Sequence, residues 1–292
     1  MKRKLLIVIG VVTLVALAGC SSILESTDNG TPTDIVNETP EGTFNPTETT
    51  ESDSTPNVNA TGNLNASNVL TEHRNALMES ESYTAQIRQQ TVQQGTNSLT
   101  QDVERYHRIN LSQGVEYTQV NVRRSTSQQQ PVTQTSQVYI DENKTYQSQT
   151  ALNNTRYAVQ NTSQNVSIDS TSQSQVLSVF VSSMEYTETE TVEVNGTTAT
   201  RYDFEQVTDM QRLTQTQNQT FQNINSSIVI QDNGLVRQFV FSGELEGQQN
   251  SLTVSISTAY DRIGEVSIEE PEWLEEANNA STKTLDRQPD SG

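Results

Sequence analysis

From Tyr83 onward the polarity of this chain changes at every second residue. Tyr83, Ala85 and Ile87 alternate with Thr84, Gln86 and Arg88. Successive side chains of a strand point to opposite faces, so this spacing predicts a half-buried β-strand. Further strand-like stretches lie at Gln101 to Asn110, Val115 to Arg123, Thr135 to Ile140, Lys144 to Gln149 and Arg156 to Gln160. Their connections are short and polar, Asp141-Glu142-Asn143 among them, which predicts antiparallel hairpins. The clearest hairpin runs from Tyr186 to Val194, turns at Asn195-Gly196 and returns over Thr197 to Gln206. Asn-Gly accepts the positive φ angles of a type I′ turn, whose twist matches the paired strands. With Ser227 to Gln231, Leu235 to Glu246 and Ser251 to Tyr260, roughly ten strands point to one large antiparallel sheet.

Three stretches follow the helical period instead. Asn65 to Ser80 sets Val69, Leu70, His73, Ala76 and Leu77 on one side, with Ser67 as the expected N-cap. Ser170 to Met184 carries the stripe Val176, Leu177, Phe180, Val181 and Met184, and Thr208 to Phe221 forms a weaker third helix with Met210 and Leu213. Residues 63–277 are therefore the folded α+β domain.

The flanks have different compositions. Lys2-Arg3-Lys4 precedes an apolar run of about a dozen residues from Leu5 to Ala16, too short to span about 30 Å of hydrocarbon but the length of a signal-peptide core. The run ends in Leu17-Ala18-Gly19-Cys20, which resembles the lipobox of secreted lipoproteins. That resemblance implies a signal peptide over residues 1–19, cleavage after Gly19, and a lipid held on the Cys20 sulfur through a thioether. It places the rest of the chain at the extracytoplasmic face of the cell membrane. Residues 20–62 are dominated by Ser, Thr, Asn, Pro and acidic side chains. They bury too little to offset their ordering entropy, which predicts a disordered stalk, and residues 278–292 read as a tail of the same kind.

Charge and composition narrow the function. A net charge of −19 and a pI near 4.4 argue against a grip on nucleic-acid phosphate, which needs a basic face. One cysteine excludes an internal disulfide, and two histidines argue against a His-rich metal site. Beyond Cys20 the lysines are Lys144 and Lys283, against 36 acidic residues, a balance suited to molar salt, where the Debye length is about 3 Å. There are 13 Asn-x-Ser/Thr sequons, at Asn29, Asn37, Asn59, Asn65, Asn110, Asn143, Asn153, Asn161, Asn165, Asn195, Asn218, Asn225 and Asn279, each a candidate for N-glycosylation.

The order of elements also has a resemblance. A capped helix, a Ser-Tyr entry into a sheet, a mid-chain helix, a final strand pair and the closing stretch from Ile263 through Pro271 to Trp273 resemble the half-barrel lipoprotein carriers of the LolA and LppX/LprG group. With the acidic composition, the chain looks most like the cell-surface lipoproteins of halophilic archaea. The resemblance implies a curled sheet wrapped around an apolar cavity, with the helices as a lid. It makes Val176, Leu177, Phe180 and Val181 the candidate ligand-lining residues.

Catalytic signatures are missing. There is no Gly-x-Ser-x-Gly elbow, phosphate-cradling glycine loop, His-Glu-x-x-His or EF-hand loop. His73 and His107 are expected to pack rather than ligate, Glu269-Glu270 and Glu275-Glu276 to be solvated, and Trp273 to pin the chain end to the sheet. No cofactor and no metal are expected. The expected function is a membrane-anchored, non-enzymatic lipoprotein that binds a lipid or other apolar ligand. The alternative is a surface-structural or envelope-interaction protein with a solid core.

Overall fold

Among the described residues the predicted alternation becomes eleven strands, most of them longer than their apolar stretches. In chain order these are β1 (Ser82–Gln94), β2 (Leu99–Asn110), β3 (Val115–Thr126), β4 (Gln129–Asp141), β5 (Lys144–Ala151), β6 (Asn154–Asn161), β7 (Met184–Val194), β8 (Thr197–Val207), β9 (Phe221–Gln231), β10 (Val236–Glu246) and β11 (Ser251–Asp261). Among the described residues the helices are α1 (Ala66–Glu79), α2 (Ser174–Ser183), α3 (Met210–Thr214) and α4 (Leu274–Leu285). This computed structural model describes residues 64–95, 98–141, 143–161, 166, 174–214, 219–246 and 251–285.

All eleven strands belong to one antiparallel sheet in the order β6-β5-β4-β3-β2-β1-β11-β10-β9-β8-β7. Two consecutive meanders, β1 to β6 and β7 to β11, meet where the first strand pairs with the last, from Thr84 opposite Asp261 to Gln94 opposite Ser251. The sheet curls around α1 and α2 without closing, because β6 and β7 remain its two ends. The Asn195-Gly196 turn forms as expected, with φ of 52° and 75°. Gly234, at φ 83°, ends the β9–β10 connection, and a Cβ there would run into the Cβ of Glu72 on α1. Only glycine lets the helix lie this close to the turn.

Strand register assigns the faces, since cross-strand partners share one side of the sheet. The face carrying α1 and α2 is the inner one. There Tyr83, Ala85 and Ile109 join Phe239, Phe241, Ile256, Tyr260, Ile228, Tyr202 and Tyr186 in the main core, closed by Val69, Ala76 and Leu77 of α1 and Val176, Leu177, Phe180 and Val181 of α2. The outer face of the other half holds a second core. Tyr117, Tyr139 and Tyr146 lie beneath Val266, Ile268 and Ala277, with Trp273 and Leu274 packed against them. The segment after β11 reaches this place along the outer face: Ser82 Oγ accepts from Val266 N–H at 3.1 Å, and Asn110 Nδ2 donates to the Val266 carbonyl at 2.8 Å.

Several expectations are corrected. The N-cap of α1 is Asn65, whose Oδ1 accepts from Asn68 N–H at 3.3 Å; Ser67 lies inside the first turn. Met184 begins β7 rather than ending α2. The third helix shrinks to five residues, and Phe221 starts β9, where its ring meets Phe241 edge-on at 5.3 Å. Aromatic packing there overrides a weak local preference. At the C-terminus a helix runs to Leu285, past the boundary drawn at residue 277. Its first turn carries Glu275 and Glu276, which suit the positive end of the helix dipole, and Ala277 is fully buried on the sheet.

Candidate functional site

The two halves of the inner face are finished differently. Over β7 to β11 and β1, helices α1 and α2 fill the concavity with close aromatic contacts. The Phe180 ring lies 4.5 Å from Phe241 and 5.3 Å from Phe239, centroid to centroid. The four candidate lining residues Val176, Leu177, Phe180 and Val181 are all buried in this core. The structure brings them together, as the spacing predicted, but against side chains of the protein itself.

The inner face of β2 to β6 is built from other material. Register places Val103, Arg105 and His107 of β2, Thr118, Val120 and Val122 of β3, Ser136, Val138 and Ile140 of β4, and Gln147 and Gln149 of β5 on this side. Val120, Val122, Val138 and Ile140 are half-buried. Among the described residues they belong to none of the apolar clusters that the helices close. This trough is the candidate ligand face. No sequence motif marks it, because its apolar residues are scattered singly over separate strands, beside neighbours as different as Glu104, Asn121, Arg123 and Gln137. Only the pairing register reveals that the valines share one side.

One end of the trough has a buried polar floor. Thr118 Oγ1 donates to Glu116 Oε1 at 2.8 Å and lies 2.8 Å from His107 Nδ1. With its only proton directed to the carboxylate, the threonine oxygen accepts from Nδ1–H, which fixes the imidazole tautomer. His107 and Glu116 are also 3.5 Å apart. Burial lowers the His107 pKa, and Glu116 opposes that shift without reversing it. The imidazole is therefore neutral at pH 7, and the chain is a set of hydrogen bonds rather than an ion pair.

His73 packs in the main core, as expected from its place on the apolar side of α1. Its Nδ1 accepts from Val236 N–H at 3.2 Å, and its ring meets Tyr260 edge-on at 4.6 Å. Burial pushes its pKa down to about 3, and burial also raises that of the Tyr260 hydroxyl. Trp273 stacks on Tyr157 at 6.4 Å and fastens the start of α4 to the outer face.

The lipobox residues Leu17, Ala18, Gly19 and Cys20 lie outside the described residues, as do Asn29, Asn37, Asn59, Asn165 and Asn218. Asn65, Asn143, Asn153, Asn161, Asn195, Asn225 and Asn279 are exposed. Asn110 differs from the other described sequon residues in being buried. It is 7% exposed, its amide nitrogen donates to Val266 O, and its Oδ1 accepts from Gln113 N–H and Ser112 Oγ. In the folded chain this amide is turned inward, away from solvent.

No helix among the described residues is long and apolar enough to cross a membrane. No curated protein matches the sequence. Among solved structures, the chain is similar to the lipoprotein LppX of Mycobacterium tuberculosis, at 13% identity over 69% of this chain and 98% of that one, with a TM-score of 0.29. It is similar to a DUF1329 family protein from Desulfovibrio piger at 11% identity, over 68% and 95% of the two chains, with a TM-score of 0.24. A LolA superfamily protein from Nitrosomonas europaea matches at 7% identity, over 72% and 97%, with a TM-score of 0.22. Residues 5–277 match the model of a family of unknown function, DUF7537, and the chain belongs to that family.

Proposed function

We propose that this chain is an extracytoplasmic lipoprotein, anchored to the cell membrane through a lipid on Cys20, that holds a lipid or other apolar ligand against the inner face of its curled sheet. The observation that carries the reading is the trough of β2 to β6, where Val120, Val122, Val138 and Ile140 stay half-buried outside every helix-closed cluster of the described residues. Concave, largely apolar surfaces with a few fixed polar groups are where ligands of this kind bind. The basic, apolar and Leu17-Ala18-Gly19-Cys20 segments in succession support the anchor. In this reading the protein binds and does no chemistry.

The test is mass spectrometry of lipids co-extracted with the full chain from its native membrane. A stoichiometric bound lipid is the expected result, and a protein free of lipid would overturn the ligand reading. Cys20→Ser separates the anchor from the ligand: the variant should leave the membrane or remain unprocessed, and unchanged retention with normal processing would overturn the anchor.

A second reading is a surface-structural protein with a solid core. The packing of Phe180 on Phe239 and Phe241 favours it, since α2 fills the concavity it was expected to cover as a lid. A lipid-free native protein would select this reading.

A further inference from the structure

We propose that the ligand of the β2–β6 trough is an anionic amphiphile, its apolar part lying on the valines and its acidic head directed at a row of arginines. The inference rests on the ligand reading above and adds the charge of the ligand. The row follows directly from register. Arg105 pairs with Val120, Val120 with Ser136, Ser136 with Gln149 and Gln149 with Arg156. One cross-strand line thus runs over five strands with a guanidinium at each end, separated by about 19 Å along the sheet at the usual strand spacing. Arg124, opposite Gln101, is on the same face one row further along from Val122.

The charge census of this face is unlike that of the whole chain. On the inner side of β2 to β6 the charged residues are Arg105, Arg124, Arg156 and Glu116, three positive against one negative, for a local net of +2. The outer side of the same strands carries Asp102, Glu104 and Asp141 against Arg108, Arg123 and Lys144, which balance. The chain as a whole has a net charge of −19. A positive concave surface inside an acidic protein concentrates field on whatever enters it, and that field favours an anion.

The polar groups fit the same class. Glu116, the only carboxylate on this face among the described residues, is 8% exposed and already accepts from Thr118, so it is withdrawn from the surface a ligand meets. The His107 imidazole beside it is neutral and adds no charge. Arg105 is half-buried, while Arg124 and Arg156 are exposed, so the guanidiniums line the trough from its floor to its rim. A guanidinium offers paired donors that match carboxylate or phosphate oxygens. The apolar component is supplied by Val120 in the Arg105–Arg156 row, by Val122 between that row and Arg124, and by Val138 one row to the other side.

The experiment uses the full chain stripped of endogenous lipid in detergent. It is then offered two lipids with identical oleoyl chains, phosphatidylglycerol with one negative charge and zwitterionic phosphatidylcholine, and bound lipid is counted by native mass spectrometry. Phosphatidylglycerol should be retained roughly tenfold better at about 0.1 M salt, and the preference should shrink at molar salt, where screening reaches about 3 Å. Arg156→Gln and Arg124→Gln, both at exposed positions, should lower retention of phosphatidylglycerol and leave phosphatidylcholine unchanged; Arg105→Gln should do so most strongly. Circular dichroism checks that each variant is folded. Equal retention of the two lipids, or a preference untouched in the Arg124→Gln/Arg156→Gln double variant, would overturn the inference while leaving the ligand reading intact. Retention of neither lipid would overturn both.

Discussion

The two wings of this sheet bury apolar surface on opposite sides. In the wing of β7 to β11, aromatic and aliphatic side chains face inward and meet α1 and α2. In the wing of β3 to β6, the tyrosines face outward and meet α4 and the segment before it. One continuous sheet therefore has a helix-filled inner face at one end and a helix-covered outer face at the other. The difference teaches why the second wing can leave its inner face half-exposed: its hydrophobic stabilisation comes from the other side. A sheet needs one buried face to hold its register, and here the face that does so changes from wing to wing.

The largest expected effect tests that division. Phe239→Ala removes a fully buried ring that touches Phe180, and should lower the unfolding free energy read from guanidinium denaturation by about 3–5 kcal/mol. Val138→Ala, on the inner face of the other wing, should cost less than about 1 kcal/mol, because a half-exposed side chain leaves little cavity. Comparable losses at the two positions would mean that the trough is packed as tightly as the helix-filled wing.

An intermediate effect comes from His73. Its pKa is about 3 in the fold, against 6.5 when exposed, so the unfolded chain takes up the proton first as acid is added. The resulting stability is fully present above pH 6.5 and is lost as pH falls toward 3. At pH 5 the loss amounts to about 2 kcal/mol. His73→Leu should flatten this limb of the stability curve between pH 6.5 and pH 4. An unchanged limb would show that the imidazole is solvated in the native state, and that the helix-filled wing is looser than its packing indicates.

Trp273→Ala should have the smallest and most local effect, about 1–2 kcal/mol, since the ring is only partly buried and contributes mainly its stack on Tyr157. Amide exchange should quicken in β5 and β6 and stay unchanged in β9 and β10. Uniform loss of protection would show that the wings unfold as one unit rather than as two.

Much of the architecture was legible in the chain. Hairpins with a defined turn, such as Asn195-Gly196, and strands with contrasting faces, such as the one beginning at Tyr83, carry their own signal. Local pattern read less well where both faces were polar: β4 starts at Gln129, but Gln129 to Gln134 offers little hydropathy contrast. Helix ends shifted where a neighbouring residue made the better cap, as with Asn65, or where distant rings claimed the segment, as with Phe221. The candidate ligand face was the least legible. Val176, Leu177, Phe180 and Val181 stood out because they cluster in sequence, whereas Val120, Val138 and Arg156 come together only through strand pairing. The buried role of Asn110 depended on a carbonyl 156 residues away, which no local window contains.

The seam between β1 and β11 has a consequence for how the molecule is made. The first meander ends at Asn161, but the strand that flanks its opposite side ends only at Asp261. Those 100 further residues take about 5–20 s to synthesise. Throughout that interval β1 exposes an unpaired edge. Until the ribosome has delivered its last strand the polypeptide is sticky and pliable, the condition in which a holding chaperone can recognise it.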